Sequence, residues 1–323
     1  GVPLVNWEFF DVPRYIEKSA HAVTFGARED EVKKTIPMPI STARGCAFRC
    51  TFCHFVFWDD PYRCRTPESV LAEVKRNGDR YGANYVNFWD DLSFASLPQV
   101  ERMCDAILGS QMKFQWMASV RCDLFGRGKF PYAKRFEVAE KMKASGCISV
   151  GFSLESGNPE ILKMMNKHIE ASFFAEQVGL LRKVGIVCNT SVVFGYPIET
   201  PETIRETFDM CLKARVYPSI GFLLPLPYTG MYEYAKQNGF IKDEDAYLDS
   251  ITERQDICLN MTKMSDERIM EEIKRSYPDA EISGLAYQVY RFGGDDLLFG
   301  QGGIGYGGQY LRQQLAYYGF DPN

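Results

Sequence analysis

The sequence predicts an α/β fold built on a parallel sheet of the barrel type, and three observations predict it. Near-continuous apolar runs of strand length alternate with segments of helical periodicity, as buried parallel strands and their crossover helices do. A Pro-Glu helix start recurs at Pro67, Pro159 and Pro201 with irregular spacing, which marks a shared βα unit rather than a short repeat. The loop after the first run holds Gly45 and a group of cysteines where a doubly wound nucleotide-binding sheet would carry G-x-G-x-x-G. A length of 323 residues suits an α/β barrel as one unit.

The elements follow in order. TIPMPISTA (35–43) reads as a buried strand that ends at the cysteine loop. TPESVLAEVKRNGDRYG follows as a helix: Thr66 suits the N-cap, Pro67 the first helical position and Glu68 the positive helix end, with Val70, Leu71, Val74 and Tyr81 at helical spacing. NYVNFW (84–89) is the second strand. LPQVERMCDAIL is a helix with Met103, Ile107 and Leu108 near one face. FQWMASV (114–120) is the third strand, and PYAKRFEVAEKMKASG a helix closed by Gly146 as C′ residue. CISVGFSLE (147–155), GIVCNTSVVFG (185–195) and SIGFLLPLP (219–227) complete the six strands. The helix starts NPEILKMMNK and TPETIRETFDMCLKA separate them. Beyond 243, SDERIMEEIKRSY reads as a helix, FGGDDLLFGQGGIGYGG (292–308) as a flexible glycine-rich loop, and QYLRQQLAYYGF as a closing helix over the open bottom or side of the sheet.

The composition is that of a globular protein: 46% apolar, 24% charged, net charge −5. Nothing in that balance calls for nucleic acid or an anionic membrane. No apolar run is long enough to span a bilayer. GVPLVNWEFFDVPRY lacks a basic segment followed by an apolar one, so no signal peptide is visible and the expected compartment is the cytosol, where thiols stay reduced. Disulfides are therefore not expected. Cys64, Cys104, Cys122, Cys147, Cys188, Cys211 and Cys258 are scattered and read as core packing.

Cys46, Cys50 and Cys53 are different. In GCAFRCTFC they stand at C-x3-C-x2-C, three thiols in one loop, a pattern that suggests metal. Thiolates suit zinc or iron–sulfur clusters. A structural zinc needs a fourth ligand; His54 is poorly placed beside Cys53, and Cys64 could serve. A [4Fe–4S] cluster held by three thiolates instead keeps one iron open for an exchangeable ligand. Asp90 and Asp91 end the second strand, Arg121 the third and Glu155 the fourth, and Glu199 follows the fifth; on a barrel these converge on one mouth with the cysteines. Phe57, Trp58, Trp89, Trp116, Tyr228 and Tyr232 are expected near that mouth, which would suit a bulky or apolar substrate.

The spacing with an aromatic, Phe52, before the last cysteine resembles the signature of the radical S-adenosylmethionine (radical SAM) enzymes. TARGCAFRCTFC, YRCRTPESVLAEV, VNFWDD, VGFSLESGNPEIL, FGYPIETPETIRETF and PLPYTGMYEYAKQNGFI resemble successive segments of the branch that often carries an N-terminal cobalamin-binding domain. The resemblance covers about 36–242. It implies a partial (βα)6 TIM-type barrel over 36–242 and a linker-like segment over 1–35, and leaves 243–323 as a C-terminal extension outside the resemblance. It implies a [4Fe–4S] cluster on Cys46, Cys50 and Cys53, with SAM chelating the open iron and cleaved to a 5′-deoxyadenosyl radical that takes hydrogen from a substrate carbon. Phe52 would lie near the adenine, Asp90 and Asp91 would meet the SAM amino group, and Arg121, Glu155, Asn189 and Ser191 would contact the rest of SAM. An electron donor such as flavodoxin or ferredoxin is implied. Methyl transfer through cobalamin is one expected outcome, a radical cyclisation or rearrangement the other. The branch usually has Pro at Ala47 and Gly230, and Gly at Ile198 and Tyr228. The chain has only His21, His54 and His168 and no D-x-H-x2-G motif, so cobalamin would come from another chain or a removed domain, or not be used. Two other classes stay open: an electron carrier with Cys64 as fourth cluster ligand, and a zinc-clipped binding barrel.

Overall fold

The longest strand, Cys147–Glu155, lies in the interior of a sheet of six parallel strands. The computed structural model describes residues 4–19, 35–54, 61–126, 128–216, 218–252 and 254–276. The strands are β1 (Pro37–Ile40), β2 (Tyr85–Phe88), β3 (Gln115–Arg121), β4 (Cys147–Glu155), β5 (Val187–Phe194) and β6 (Pro218–Phe222). Each pairs only with its neighbours in sequence, from β1 to β6. A doubly wound sheet would reverse its order at a switch point. The sequential order is that of a part-barrel, with β1 and β6 as edges among the described residues. A separate antiparallel ribbon pairs Ala43–Arg44 with Arg63–Cys64.

The helices are α1 (Val12–Ser19), α2 (Pro67–Tyr81), α3 (Leu97–Ser110), α4 (Tyr132–Ala144), α5 (Pro159–Met164), α6 (Phe174–Lys183), α7 (Pro201–Ala214), α8 (Gly230–Gln237), α9 (Glu244–Ser250) and α10 (Asp266–Ser276). The Pro-Glu starts are all capped as their residue types demand. Thr66 accepts from Ser69 N–H at 3.3 Å, Asn158 from Glu160 and Ile161 N–H at 3.0 Å each, and Thr200 and Thr203 form a reciprocal capping box. Gly146 follows α4 at φ +97°, where an added Cβ would strike the Phe114 carbonyl.

Side chains alternate along the strands, and one face packs on the helices. Val86 and Phe88 of β2, Trp116, Ala118 and Val120 of β3, Phe152 of β4, and Val192 and Phe194 of β5 are buried there. Phe152 meets Phe174 of α6, and Phe194 meets Phe208 of α7, at ring separations of 5.9 and 5.2 Å. Cys104, Cys122, Cys147 and Cys211 are buried as expected; Cys188 and Cys258 are half-buried, and Cys64 is exposed on the ribbon, so it does not pack in the core. Leu108 is 41% exposed and lies off the buried face of α3.

Strand ends differ from expectation. β1 stops at Ile40 rather than 43, and β6 at Phe222 rather than 227, where Pro225 and Pro227 lack ladder donors. The later segment runs along the free edge of β6, where Phe222 N–H donates to the Arg254 carbonyl at 2.6 Å. Buried Glu272 of α10 pairs with Arg205 of α7 and with Arg268. The glycine-rich stretch 292–308, QYLRQQLAYYGF and His21 lie outside the described residues. No helix among the described residues is long and apolar enough to cross a membrane.

Candidate active site

The cysteine loop leaves the C-terminal end of β1 and is pinned at both ends. At its start, Asp90 reaches across from β2: Oδ1 accepts from Thr42 and Ala43 N–H at 2.8 and 3.0 Å, and Oδ2 from the Thr42 hydroxyl at 2.7 Å. Burial pushes the Asp90 carboxyl up, and the Thr42 and Ala43 donors pull it part of the way back. Those bonds hold the strand exit, which is why β1 is short. Gly45 turns the chain at φ +73°.

Further on, Thr51 ties the loop to three other elements. Its N–H donates to Met165 O at 2.9 Å and its hydroxyl to Met164 O at 3.0 Å, at the end of α5. Its hydroxyl also lies 3.3 Å from the Tyr196 phenol, and its carbonyl accepts from Met231 N–H of α8 at 2.9 Å. Asn166 donates to Arg49 O at 2.6 Å. Gly230 sits against Thr51, with an added Cβ only 3.3 Å from the Thr51 Cβ. That close approach accounts for glycine at the head of α8.

Cys50 is buried, and Cys46 and Cys53 are half-buried. Burial pushes the Cys50 thiol up, while Lys167 and Arg121 pull it down. Among the described residues, no three His, Cys, Asp or Glu side chains gather at single-ion spacing. The donor set itself, three soft thiols in one loop with two cations behind it, fits an anionic iron–sulfur cluster.

Those cations form one connected group. Arg121, at the end of β3, donates through Nη2 to Lys167 O at 2.6 Å and His168 O at 2.8 Å, pairs with Asp123 at 3.4 Å, and lies 3.5 Å from the Phe48 ring centre. Lys167 pairs with Glu155 at 2.9 Å, both buried, and reaches Ser153 Oγ at 3.2 Å. Its ammonium is 5.8 Å from the centre of Phe52. Glu155 holds φ +64°, and Asn166 and His168 hold φ +52° and +49°, so the tertiary contacts impose a backbone that L residues seldom adopt. Sequence reasoning named Arg121 and Glu155 but missed Lys167, Thr51 and Tyr196. No local sequence pattern marks them.

The other face of the sheet is concave and polar. Register places Ser119, Gly151 and Asn189 side by side across β3, β4 and β5, and Arg121, Ser153, Ser191 and Ser219 one step nearer the mouth. A Cβ on Gly151 would lie 2.9 Å from Asn189 Oδ1 and 3.4 Å from Ser119 Oγ, which fixes these three on one surface. Asp91 is exposed; partial burial raises its carboxyl and His54 lowers it. Glu199 does not face the mouth. It is 3% exposed and accepts from Gly195 N–H and from the Thr203 hydroxyl within its own loop, and burial raises its carboxyl to about 7.

Of the aromatics expected at the mouth, Trp116 and Tyr232 are core residues, 0% and 2% exposed. Trp89, just past β2, is 71% exposed, and Tyr228, in the turn before α8, is 75% exposed at φ +66°. Ile198 is also exposed. Phe57 and Trp58 lie outside the described residues. A cavity of about 440 Å3 opens at the opposite end of the strands, beside Asn84, Leu108, Gln115 and Gly146. Its lining holds no Cys, His, Asp or Glu, so the thiol-bearing mouth is the candidate site.

Residues 40–211 match the family model described as the radical SAM superfamily. The chain is 26% identical over 242 residues to an uncharacterised methyltransferase of Pyrococcus horikoshii, covering 74% of this chain and 48% of that protein. It is 27% identical over 216 residues to the bacteriochlorophyllide d C-12(1)-methyltransferase of Chlorobaculum tepidum, covering 65% and 45%. It is 24% identical over 222 residues to the anaerobic magnesium-protoporphyrin IX monomethyl ester cyclase of Cereibacter sphaeroides, covering 67% and 34%. The fold is similar to that of TsrM, a radical SAM methyltransferase of Kitasatospora setae solved with cobalamin and a [4Fe–4S] cluster bound, at a TM-score of 0.52 and 24% identity, over 65% of this chain and 42% of that one. The chain spans about half or less of the length of these relatives.

Proposed function

The chain belongs to the radical SAM superfamily, and from that premise we propose that it binds a [4Fe–4S] cluster through Cys46, Cys50 and Cys53, takes SAM beside it, and abstracts hydrogen from a substrate carbon. The observation that carries the reading is the three-thiol loop pinned at the mouth by Asp90, Thr51 and Asn166, with Lys167 and Arg121 behind it. When bound, the cluster supplies the electron that cleaves SAM to methionine and a 5′-deoxyadenosyl radical.

The residues divide the remaining work. Asp90 positions the loop, and exposed Asp91 beside it meets the SAM amino group. Arg121 and Lys167 supply fixed positive charge next to the thiolates and so favour their ionised form. Glu155, Ser153, Asn189 and Ser191 offer hydrogen bonds on the surface where the ribose and carboxylate would lie, and Phe52 an apolar contact for the adenine. The concave face shields the radical from bulk water once substrate fills it.

We extend the proposal to methyl transfer, with cobalamin presented by a separate domain or subunit and electrons by a small carrier such as flavodoxin or ferredoxin. Its support is the names of two relatives and the fold shared with TsrM. A relative named as a cyclase supports radical cyclisation as the second reading. Product stoichiometry separates them. Methyl transfer gives S-adenosylhomocysteine and 5′-deoxyadenosine in equal amounts, and cyclisation gives no S-adenosylhomocysteine. Quantifying both by mass spectrometry, with reduced protein, SAM and methylcobalamin, tests the extension. No 5′-deoxyadenosine under any reducing condition would overturn the radical reading itself.

A further inference from the structure

A closed barrel of parallel strands fills its interior with branched apolar side chains. The concave face here carries Ser119, Ser153, Asn189, Ser191 and Ser219, with Gly151 between them and Met117, Val187 and Val193 as its apolar members. Ser119 is exposed although β3 is flanked by strands on both sides, so its exposure comes from the concave side alone. Ser219 of β6 is exposed too. These are neutral hydrogen-bonding groups, and a wholly apolar ligand would leave them desolvated and unpaired.

Arg254 overlooks this surface from the β6 edge. The Arg254 carbonyl is fixed to the β6 edge by Phe222 N–H, and its guanidinium lies over Gly221: an added Cβ there would be 3.2 Å from Nη2 and 3.6 Å from Nε. Gly221 aligns with Val193 and follows Ser219 by two residues, so it shares the concave side with Ser219 and Ser191. Glycine leaves room for the guanidinium there. Among the described residues, no carboxylate pairs with it. Arg121 and Lys167, across the mouth, are buried and engaged with Asp123 and Glu155. Arg254 is exposed.

We infer that the concave face binds a hydroxyl- or amide-rich substrate bearing one anionic group, and that Arg254 is the residue that selects the anion. The inference rests on the radical SAM reading only in taking this face as the substrate side. A planar guanidinium fits carboxylate or phosphate in a forked pair. Ser219 and Ser191 lie beside it for the neutral part of the molecule.

The test uses the whole protein with probes of matched shape: D-glucuronate, glucose 6-phosphate and glucose. Affinities are measured by calorimetry, and protection of Arg254 from phenylglyoxal is mapped by mass spectrometry. One or both anionic probes should protect Arg254 and bind about ten- to a hundredfold tighter than glucose; which of the two binds tells carboxylate from phosphate. Arg254→Gln should abolish the preference, and Arg254→Lys should restore part of it. Equal binding of all three probes, binding of none, or a preference that survives Arg254→Gln overturns the inference. Protection by SAM that excludes both anions also overturns it, by assigning Arg254 to the SAM carboxylate. Iron content of the reconstituted wild-type protein is read in parallel. Its loss would overturn the cysteine-loop reading and leave the anion preference standing.

Discussion

The two faces of the sheet are made from the same strands and do opposite things. On the helix side of β3, Trp116, Ala118 and Val120 are 0%, 0% and 3% exposed. On the concave side of the same strand, Ser119 is exposed and Arg121 turns its guanidinium to the Phe48 ring and the Lys167 carbonyl. Apolar packing is therefore concentrated on one face and polar chemistry on the other, and a strand that reads as a continuous apolar run carries both.

Substitutions can separate the two faces. A large effect is expected on the helix side. Trp116→Ala removes a fully buried ring packed on Phe88 and Phe94, together with the indole donation to Ser145 O at 3.1 Å. It should cost about 3–5 kcal/mol in urea unfolding. Lys167→Met, at the mouth, leaves Glu155 buried without its partner and should cost a similar amount, about 3–5 kcal/mol. Glu155→Gln added to it should recover part of that loss. A double variant as unstable as Lys167→Met would show that the pair contributes little.

Glu199 gives a pH signature. Its folded carboxyl is raised from 4.5 to about 7 by burial, so the folded state binds the proton more tightly than the unfolded chain. Stability should fall as pH rises from about 4.5 to about 7, by up to about 3 kcal/mol, and level off above. Glu199→Gln should flatten that segment of the curve; an unchanged slope would assign it to other groups. The smallest effect is expected at Ser119. Ser119→Ala should change unfolding free energy by less than about 0.5 kcal/mol, because the residue is exposed. A loss as large as that of Trp116→Ala would erase the distinction between the faces.

The sequence made the strands legible because buried parallel strands are written as apolar runs, and the helix starts legible because Thr66, Asn158 and Thr200 cap through their own side chains. Strand ends were less so. The exit of β1 depends on the Asp90 carboxylate from another strand, which no local pattern encodes. At the site, the thiols were legible by spacing and Arg121 and Glu155 by position. Lys167 was not, since a lysine after a helix ordinarily extends into water; its burial follows from Glu155 and from the Arg121 bonds that fix its backbone. Glu199 was misplaced for the same kind of reason, as its carboxylate turns back to close its own loop.

The central claim is that three thiols hold a cluster with one open position, and iron content with electron paramagnetic resonance tests it most directly. After anaerobic reconstitution, Cys46→Ala, Cys50→Ala and Cys53→Ala should each lose the cluster, and Cys64→Ala, on the exposed ribbon, should keep it. The spectrum of the reduced wild-type cluster should change when SAM is added. Iron loss in Cys64→Ala as severe as in Cys50→Ala, or a spectrum indifferent to SAM, would contradict the account.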